Sequence, residues 1–427
     1  MKKWILWSGI GLLCLVLTTT LVIALRPKKT VDIAQPAQSL SVEQEVQFED
    51  VVLCGWQTVG DQIFYFDPES GEKVTGWLET EQGRYYLDEN GNPCSGWLAE
   101  ENKIYLLKPD GTVCTGWVET ERGARYFGAD GAMAVGLLEQ SGGVWCFTDD
   151  GMPYTGWYDD TYYFDEQGKA LTGWQEMGAE SYYFFPDGIA ADGWTRINGA
   201  QYYFSAGVMQ SGWYTEGKDR YFFREDGTMA IGQVEIDGVT RFFTSTGKYV
   251  VLVNFQYPVP EDYVLNLVKV EGKLFDADAA DDLEALLAAC RAAGYACYIN
   301  NSYRSEETQQ YMYDKRLQSY MDGGMDADAA SQLVTQSLML PGHSEHHLGL
   351  ALDVKCTNAA YGWLGENSWQ YGFIIRYPEG KADITGIMYE PWHLRYVGKE
   401  LAAELYESGL CLEEYMQQIT LSIYDGQ

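Results

Sequence analysis

Four histidines occur in this chain of 427 residues, and three of them stand in "PGHSEHHLGLALD", residues 341–353. The fourth, His393, lies in "EPWHLRYVG". Neutral imidazoles together with a carboxylate are zinc donors, and a catalytic zinc takes three protein ligands. His346, Asp353 and His393 could supply that set. His346 and Asp353 bracket "HLGLAL", and a regular strand of that length would turn their side chains to opposite faces. Gly349 offers the bend or bulge that brings them together. Glu390 stands three residues before His393, where a carboxylate could accept a proton from a water on the metal. Pro391, between them, biases Glu390 away from helix, so this is not the helical HExxH arrangement.

The elements that must position these groups follow Val250. "ADAADDLEALLAACRAAG" reads as an amphipathic helix with an Asp-rich start and a stop at Gly294. "YACYINNSYRS" reads as a strand running into a loop. "SEETQQYMYDKRLQSYM" and "DADAASQLVTQSLML" read as helices, "GLALDV" as a strand, and "KELAAELYESG" as a closing helix. Helices and strands mixed without βαβ alternation predict an α+β domain over 251–427.

Upstream, residues 51–250 repeat. Gly-Trp or a variant recurs at Trp56, Trp77, Trp97, Trp117, Leu137, Trp157, Trp174, Trp194, Trp213 and Gln233, with a period of about 20 residues. Each unit adds an aromatic strand such as "YYFD" and a turn rich in Gly, Asp, Asn and Pro, the pattern of a β-hairpin. One hairpin cannot bury its aromatic face alone, so the units are expected to stack into a solenoid. The tryptophans serve equally well as solenoid core or as ligand contacts.

The N-terminus sets the expected address. Trp4 to Leu25 carries no charge and is flanked by Lys2, Lys3, Arg26, Lys28 and Lys29. A helix of that length spans roughly 33 Å, enough for a hydrocarbon core of about 30 Å. We read 4–25 as an uncleaved signal anchor, 26–50 as a linker, and the rest as a single-pass protein's external, wall-associated part. The net charge of −33, from 62 acidic and 29 basic residues, argues against nucleic acid, because phosphate binding needs basic patches. Nine cysteines without a CxxC pair do not indicate a disulfide framework.

Two resemblances sharpen this reading. "SEHHLGLALD" (Ser344 to Asp353) is similar to the S-x-H-x-x-G-x-A-x-D signature of VanY-type zinc D-alanyl-D-alanine carboxypeptidases, a Hedgehog/D-Ala-D-Ala peptidase-like fold. "YEPWHLRYVG" is similar to that family's E-x-x-H element, and "SYRSEETQ" and "GFIIRYPEGKADITG" resemble further family segments in the same order. The resemblance implies zinc on His346, Asp353 and His393, with Glu390 as general base. It also implies that Arg304, helped by Ser344 and Gln309, grips the terminal carboxylate of a peptidoglycan stem peptide. His343 and His347 fall on variable positions and are expected not to be ligands.

The repeats resemble the cell-wall-binding repeats of choline-binding surface proteins, glucan-binding enzymes and clostridial surface proteins. That resemblance implies ligand contacts at Trp77, Trp97, Trp117, Trp157, Trp174, Trp194 and Trp213. A choline cage takes an aromatic just before the "YY" pair, whereas this chain has Ile63, Arg84, Ile104, Ala124, Val144, Thr161, Ser181, Gln201 and Arg220 there. The wall ligand is thus choline, a teichoic acid or a glycan. A related wall endopeptidase or dipeptidase, and an adhesin whose C-terminal domain is inactive, are the alternative readings.

Overall fold

The structure, a computed structural model, describes residues 53–425 apart from Ser141. The expected anchor (4–25) and linker (26–50) lie outside the described residues. Among these, no helix is long and apolar enough to cross a membrane. The described chain forms two compact units, residues 53–76 with 88–92, and residues 77–87 with 93 onward.

In the first unit, Gly55–Val59 pairs antiparallel with Gln62–Phe66. The register sets Trp56 opposite Tyr65, and their rings meet edge-on at 5.2 Å.

The second unit contains the remaining hairpins, such as Gly116–Thr120 with Gly123–Phe127 and Gly173–Met177 with Glu180–Phe184. Most Gly-Trp strands set the tryptophan opposite a tyrosine of the returning strand, as in Trp117–Tyr126, Trp174–Tyr183 and Trp194–Tyr203, while Trp97 faces Leu106 and Trp213 faces Phe222. The returning strands end on phenylalanines 127, 164, 184, 204, 223 and 243, all with no exposure. Leu87 and Leu107 take the same place in two further hairpins, and a large apolar side chain repeated at one position is what stacked hairpins need for a continuous core. Backbone bonds tie one hairpin to the next: Val113 N donates to Arg84 O at 2.9 Å, and Met133 N to Ile104 O at 2.7 Å. The turn glycines are required where units touch. Gly131 has φ 78°, and a Cβ there would stand 2.1 Å from Val113 Cγ1.

The C-terminal part is α+β, as expected. Its antiparallel sheet runs in the order Tyr298–Asn301, Ala351–Lys355, His393–Tyr396, Phe373–Ile375. Helix α1 (Ala280–Ala292) covers one face. Leu283, Leu286 and Leu287 from α1 pack there with Ile299, Leu352, Val354, Phe373 and Leu394. Because strand side chains alternate, Asp353, His393 and Arg395 turn to the opposite face. Around the sheet lie α2 (Glu306–Asp322), α3 (Ala327–Thr335), α4 (Asn358–Asn367), α5 (Ala382–Thr385), α6 (Lys399–Ser408) and α7 (Leu412–Asp425). Ser305 and Asp326 cap α2 and α3 by accepting from Thr308 N and Ala329 N.

Two expectations differ in detail. The α3 pattern was expected to continue to Leu340, but the helix stops at Thr335, and Leu338 and Met339 turn under α2 to line a cavity. The helix α6 does not close the chain, since α7 follows it.

The change of pattern at Val250 is not a gap in packing. Strand Tyr249–Val250 pairs with the last repeat strand, Val239–Phe243. Phe242 and Leu252 share one cluster with Leu401 and Leu405 of α6 and with Leu412, Tyr415, Met416 and Ile419 of α7. Polar ties join the same surfaces: Arg241 to Asp262 at 2.8 Å, Lys248 to Glu400 at 2.7 Å, and Gln233 N to Thr420 Oγ1 at 3.0 Å.

Candidate metal centre

The sheet register builds the centre. Asp353 is the cross-strand partner of both Asn301 and His393, so an aspartate and a histidine remote in sequence become neighbours on one face. His346 arrives from a single 3-10 turn, Glu345–Leu348, which ends at Gly349 with φ 72°. "HLGLAL" is therefore a turn followed by a strand, with the expected bend at Gly349. A Cβ on Gly349 would stand 2.5 Å from Leu267 Cδ2. Gly349→Ala is expected to destabilise the fold by about 1–2 kcal/mol from the left-handed backbone alone. The clash adds to this and displaces His346, so a chelator-competition titration should also find weaker zinc binding.

One ligand atom from each of His346, Asp353 and His393 lies within 4.8 Å of the others. His346 Nε2 is 3.5 Å from Asp353 Oδ2, and His393 Nδ1 is 3.3 Å from Asp353 Oδ1. These separations are longer than ordinary hydrogen bonds. Ligands about 2.0–2.1 Å from a tetrahedral zinc stand roughly 3.3 Å from one another, and the two distances to Asp353, one to each carboxylate oxygen, are near that value. His346 Nδ1 donates to Ser302 O at 2.8 Å, which leaves Nε2 with its lone pair facing Asp353.

The local field also suits a cation. Burial drives His346 down, whereas His393 stays raised to about 9. Burial opposes the charge on His393 too, but Asp353 and Glu345 outweigh it. Asp353 is held well below the usual carboxylate range, since His346 and His393 overcome its burial.

Glu390 Oε2 lies 3.7 Å from His393 Nδ1. Burial, reinforced by Asp353, pushes its carboxyl up to about 7 against the pull of His393 and Arg304. Arg304 Nη2 is 3.9 Å from Asp353 Oδ2. Gln309 has no exposure; its Oε1 accepts from Arg304 Nη1 at 2.7 Å and its Nε2 donates to Met339 O. Both ends of that amide are engaged, so Gln309 holds Arg304. Arg304, Gln309, Ser344, His346, Asp353, Glu390 and His393 all line one cavity of about 250 Å³. His343 and His347 stay outside the converging donor set; their Nδ1 atoms bond Asn254 O and Arg304 O, each at 2.7 Å, and His347 Nε2 accepts from Gly342 N at 3.3 Å.

Four residues here escaped the sequence reading: Glu345, Arg376, Tyr377 and Arg395. Arg376 and Arg395 are fully buried and both reach Glu345. The ring of Tyr377 lies 4.9 Å from that of His393. The available signal was an arginine set inside each of two apolar runs, "FIIRY" and "HLRY".

In the repeats, Trp97, Trp117 and Trp174 are 54%, 47% and 40% exposed. Trp157 meets Tyr182 of the following hairpin at 5.4 Å, and Trp174 meets Tyr202 at 5.2 Å. Trp194 lines a hollow of about 650 Å³ with Arg196, Tyr221 and Arg224. Trp77 and Trp213 differ, because the Arg84 and Arg220 guanidiniums lie over them at 3.8 and 4.3 Å. The two arginines noted before the "YY" pair thus fill the faces that a cationic ligand would use.

Comparisons with known proteins bear on both parts. Residues 272–399 match the D-alanyl-D-alanine carboxypeptidase family VanY. Residues 53–96 match a choline-binding repeat, and 211–229 a cell wall binding repeat. A D-alanyl-D-alanine carboxypeptidase of Enterococcus faecalis (strain ATCC 700802 / V583) is 40% identical over 174 residues, covering 39% of this chain and 65% of that protein. The bifunctional D-Ala-D-Ala dipeptidase and carboxypeptidase VanXYC of Enterococcus gallinarum is 34% identical over 137 residues, 29% of this chain and 67% of that protein. A solved structure of a variant of the vancomycin-resistance D,D-pentapeptidase VanY, in complex with Zn(II), is 40% identical. It covers 39% of this chain and 97% of its own, with a TM-score of 0.38.

Proposed function

The chain belongs to the VanY family of D-alanyl-D-alanine carboxypeptidases, and on that premise we propose that its C-terminal domain is a zinc peptidase removing the terminal D-alanine from peptidoglycan stem peptides. The observation that carries this reading is the meeting of His346, Asp353 and His393 in one cavity with Glu390 and Arg304. Zinc held by His346 Nε2, Asp353 and His393 Nδ1 would supply Lewis acidity to the scissile carbonyl and to a water. Glu390 accepts the proton from that water and passes it to the leaving amine. Arg304, held by Gln309, pairs with the terminal carboxylate, and Ser344 lines the same wall. A guanidinium binds a free carboxylate in two-point fashion, which selects a chain end over an internal bond.

The repeats hold the enzyme to a cell-wall ligand, a teichoic acid, glycan or choline group. Trp97, Trp117, Trp157, Trp174 and Trp194 are its contacts in this reading, with Trp77 and Trp213 closed by arginine. Several weak sites on one array add through multivalency. The uncharged run 4–25 anchors the chain in the membrane, with the domains outside.

The test uses the full chain, zinc-loaded and given a pentapeptide ending in D-Ala-D-Ala. Release of free D-alanine is expected. Cleavage inside the peptide without D-alanine would favour the endopeptidase, and no cleavage with no zinc uptake would leave the adhesin. Chelating the zinc should abolish release and, for zinc at roughly a thousand times its Kd, remove about 4 kcal/mol of stability in a urea titration.

A further inference from the structure

We infer that Glu345 is the positioning residue of the metal centre: its carboxylate faces the outer nitrogen of His393 and so dictates that the ring offers Nδ1 to the ion. The inference rests on the reading of His346, Asp353 and His393 as metal ligands.

Glu345 is 1% exposed. Its Oε1 accepts from Arg376 Nε at 2.7 Å and from Arg395 Nη1 at 2.8 Å. Its Oε2 accepts no hydrogen bond, and neither does His393 Nε2 have a partner, yet both atoms are buried. The two lie 3.8 Å apart, so each faces the group that would satisfy it. At that distance the contact is electrostatic.

The chemistry explains the pairing. A histidine that gives its Nδ1 lone pair to a metal must carry its proton on Nε2, and that N–H needs an acceptor. Ligand histidines generally pass the second N–H to a carboxylate or a carbonyl. His346 uses the neutral carbonyl of Ser302. His393 has Glu345 in the equivalent place, and a carboxylate makes the imidazole a stronger donor.

The network also explains how a carboxylate survives there. Arg376 is shared with Glu413 of α7 through Nη1 at 2.9 Å and Nη2 at 2.6 Å. Arg395 Nη2 donates to Val251 O at 2.8 Å. Two guanidiniums balance two carboxylates, and Glu345 points its remaining oxygen at the ligand.

The test compares Glu345→Gln with Glu413→Gln in the full chain. Both remove one carboxylate from the same network, but only the first faces His393. Chelator competition should show zinc binding weakened about 10–100-fold in E345Q and unchanged in E413Q. The cobalt-loaded E345Q protein should also show a shifted visible spectrum. Equal zinc affinities in E345Q and wild type, or equal losses in both variants, would overturn the inference and leave Glu345 a counter-ion. If E345Q does not fold, histidine nitrogen NMR of the zinc-loaded wild type decides. A protonated, hydrogen-bonded Nε2 on His393 supports the inference, and coordination through Nε2 defeats it. Zinc binding that depends on Glu345 without D-alanine release would sink the carboxypeptidase reading alone. A wild-type chain that takes up no zinc would sink both.

Discussion

Glu390→Gln is expected to lower D-alanine release about 10³-fold while zinc stays bound. Glutamine keeps the size of the side chain and loses only the ability to take a proton. The backbone that carries it does not depend on the carboxylate, since Glu390 N donates to Tyr377 O at 3.1 Å. The converging donor atoms come from His346, Asp353 and His393, so the substitution leaves the donor set whole. The check is turnover of the pentapeptide alongside zinc content of the same sample. A variant within tenfold of wild type would remove Glu390 as the base.

The second large effect concerns where the domain begins. A chain starting at residue 251 loses Phe242, which is 4% exposed in a cluster built from α6 and α7. Removing that ring alone, as Phe242→Ala, should cost about 3–5 kcal/mol. Domains typically have roughly 5–15 kcal/mol in total. The truncation also deletes the paired strands Val239–Phe243 and Tyr249–Val250 and the Arg241–Asp262 and Lys248–Glu400 pairs. The expected result is a domain largely unfolded at 25 °C when cut at 251, and a cooperative urea transition when cut at 211. Equal midpoints for the two would mean that the last repeat is only attached to the domain.

What could be read in the sequence follows from periodicity and from order along the chain. The hairpins were legible because each carries its own aromatic strand and glycine turn within about 20 residues. The donor set was legible from residue types, and the bend at Gly349 from the conflict between strand alternation and a shared site. The pairing of Asp353 with His393 was not, because cross-strand register joins residues far apart in sequence. Glu345 was hidden for a similar reason. It looks like one more polar residue beside His346, and its partners Arg376 and Arg395 lie in segments that read as ordinary packing. The separation at Val250 was drawn where the Gly-Trp pattern stops, yet a change of pattern says nothing about which side chains share a core.

On the proposed function, the continuous packing at Val250 would set the working range of the enzyme. A flexible tether would let a catalytic domain sweep a volume and meet substrates at many distances from its attachment point. Here the last hairpin and the C-terminal domain share one core, an arrangement that would carry the cavity at a set distance from a ligand on the neighbouring hairpins. On the proposed function, selection among otherwise identical wall peptides would then depend on where they lie, with the junction as a caliper.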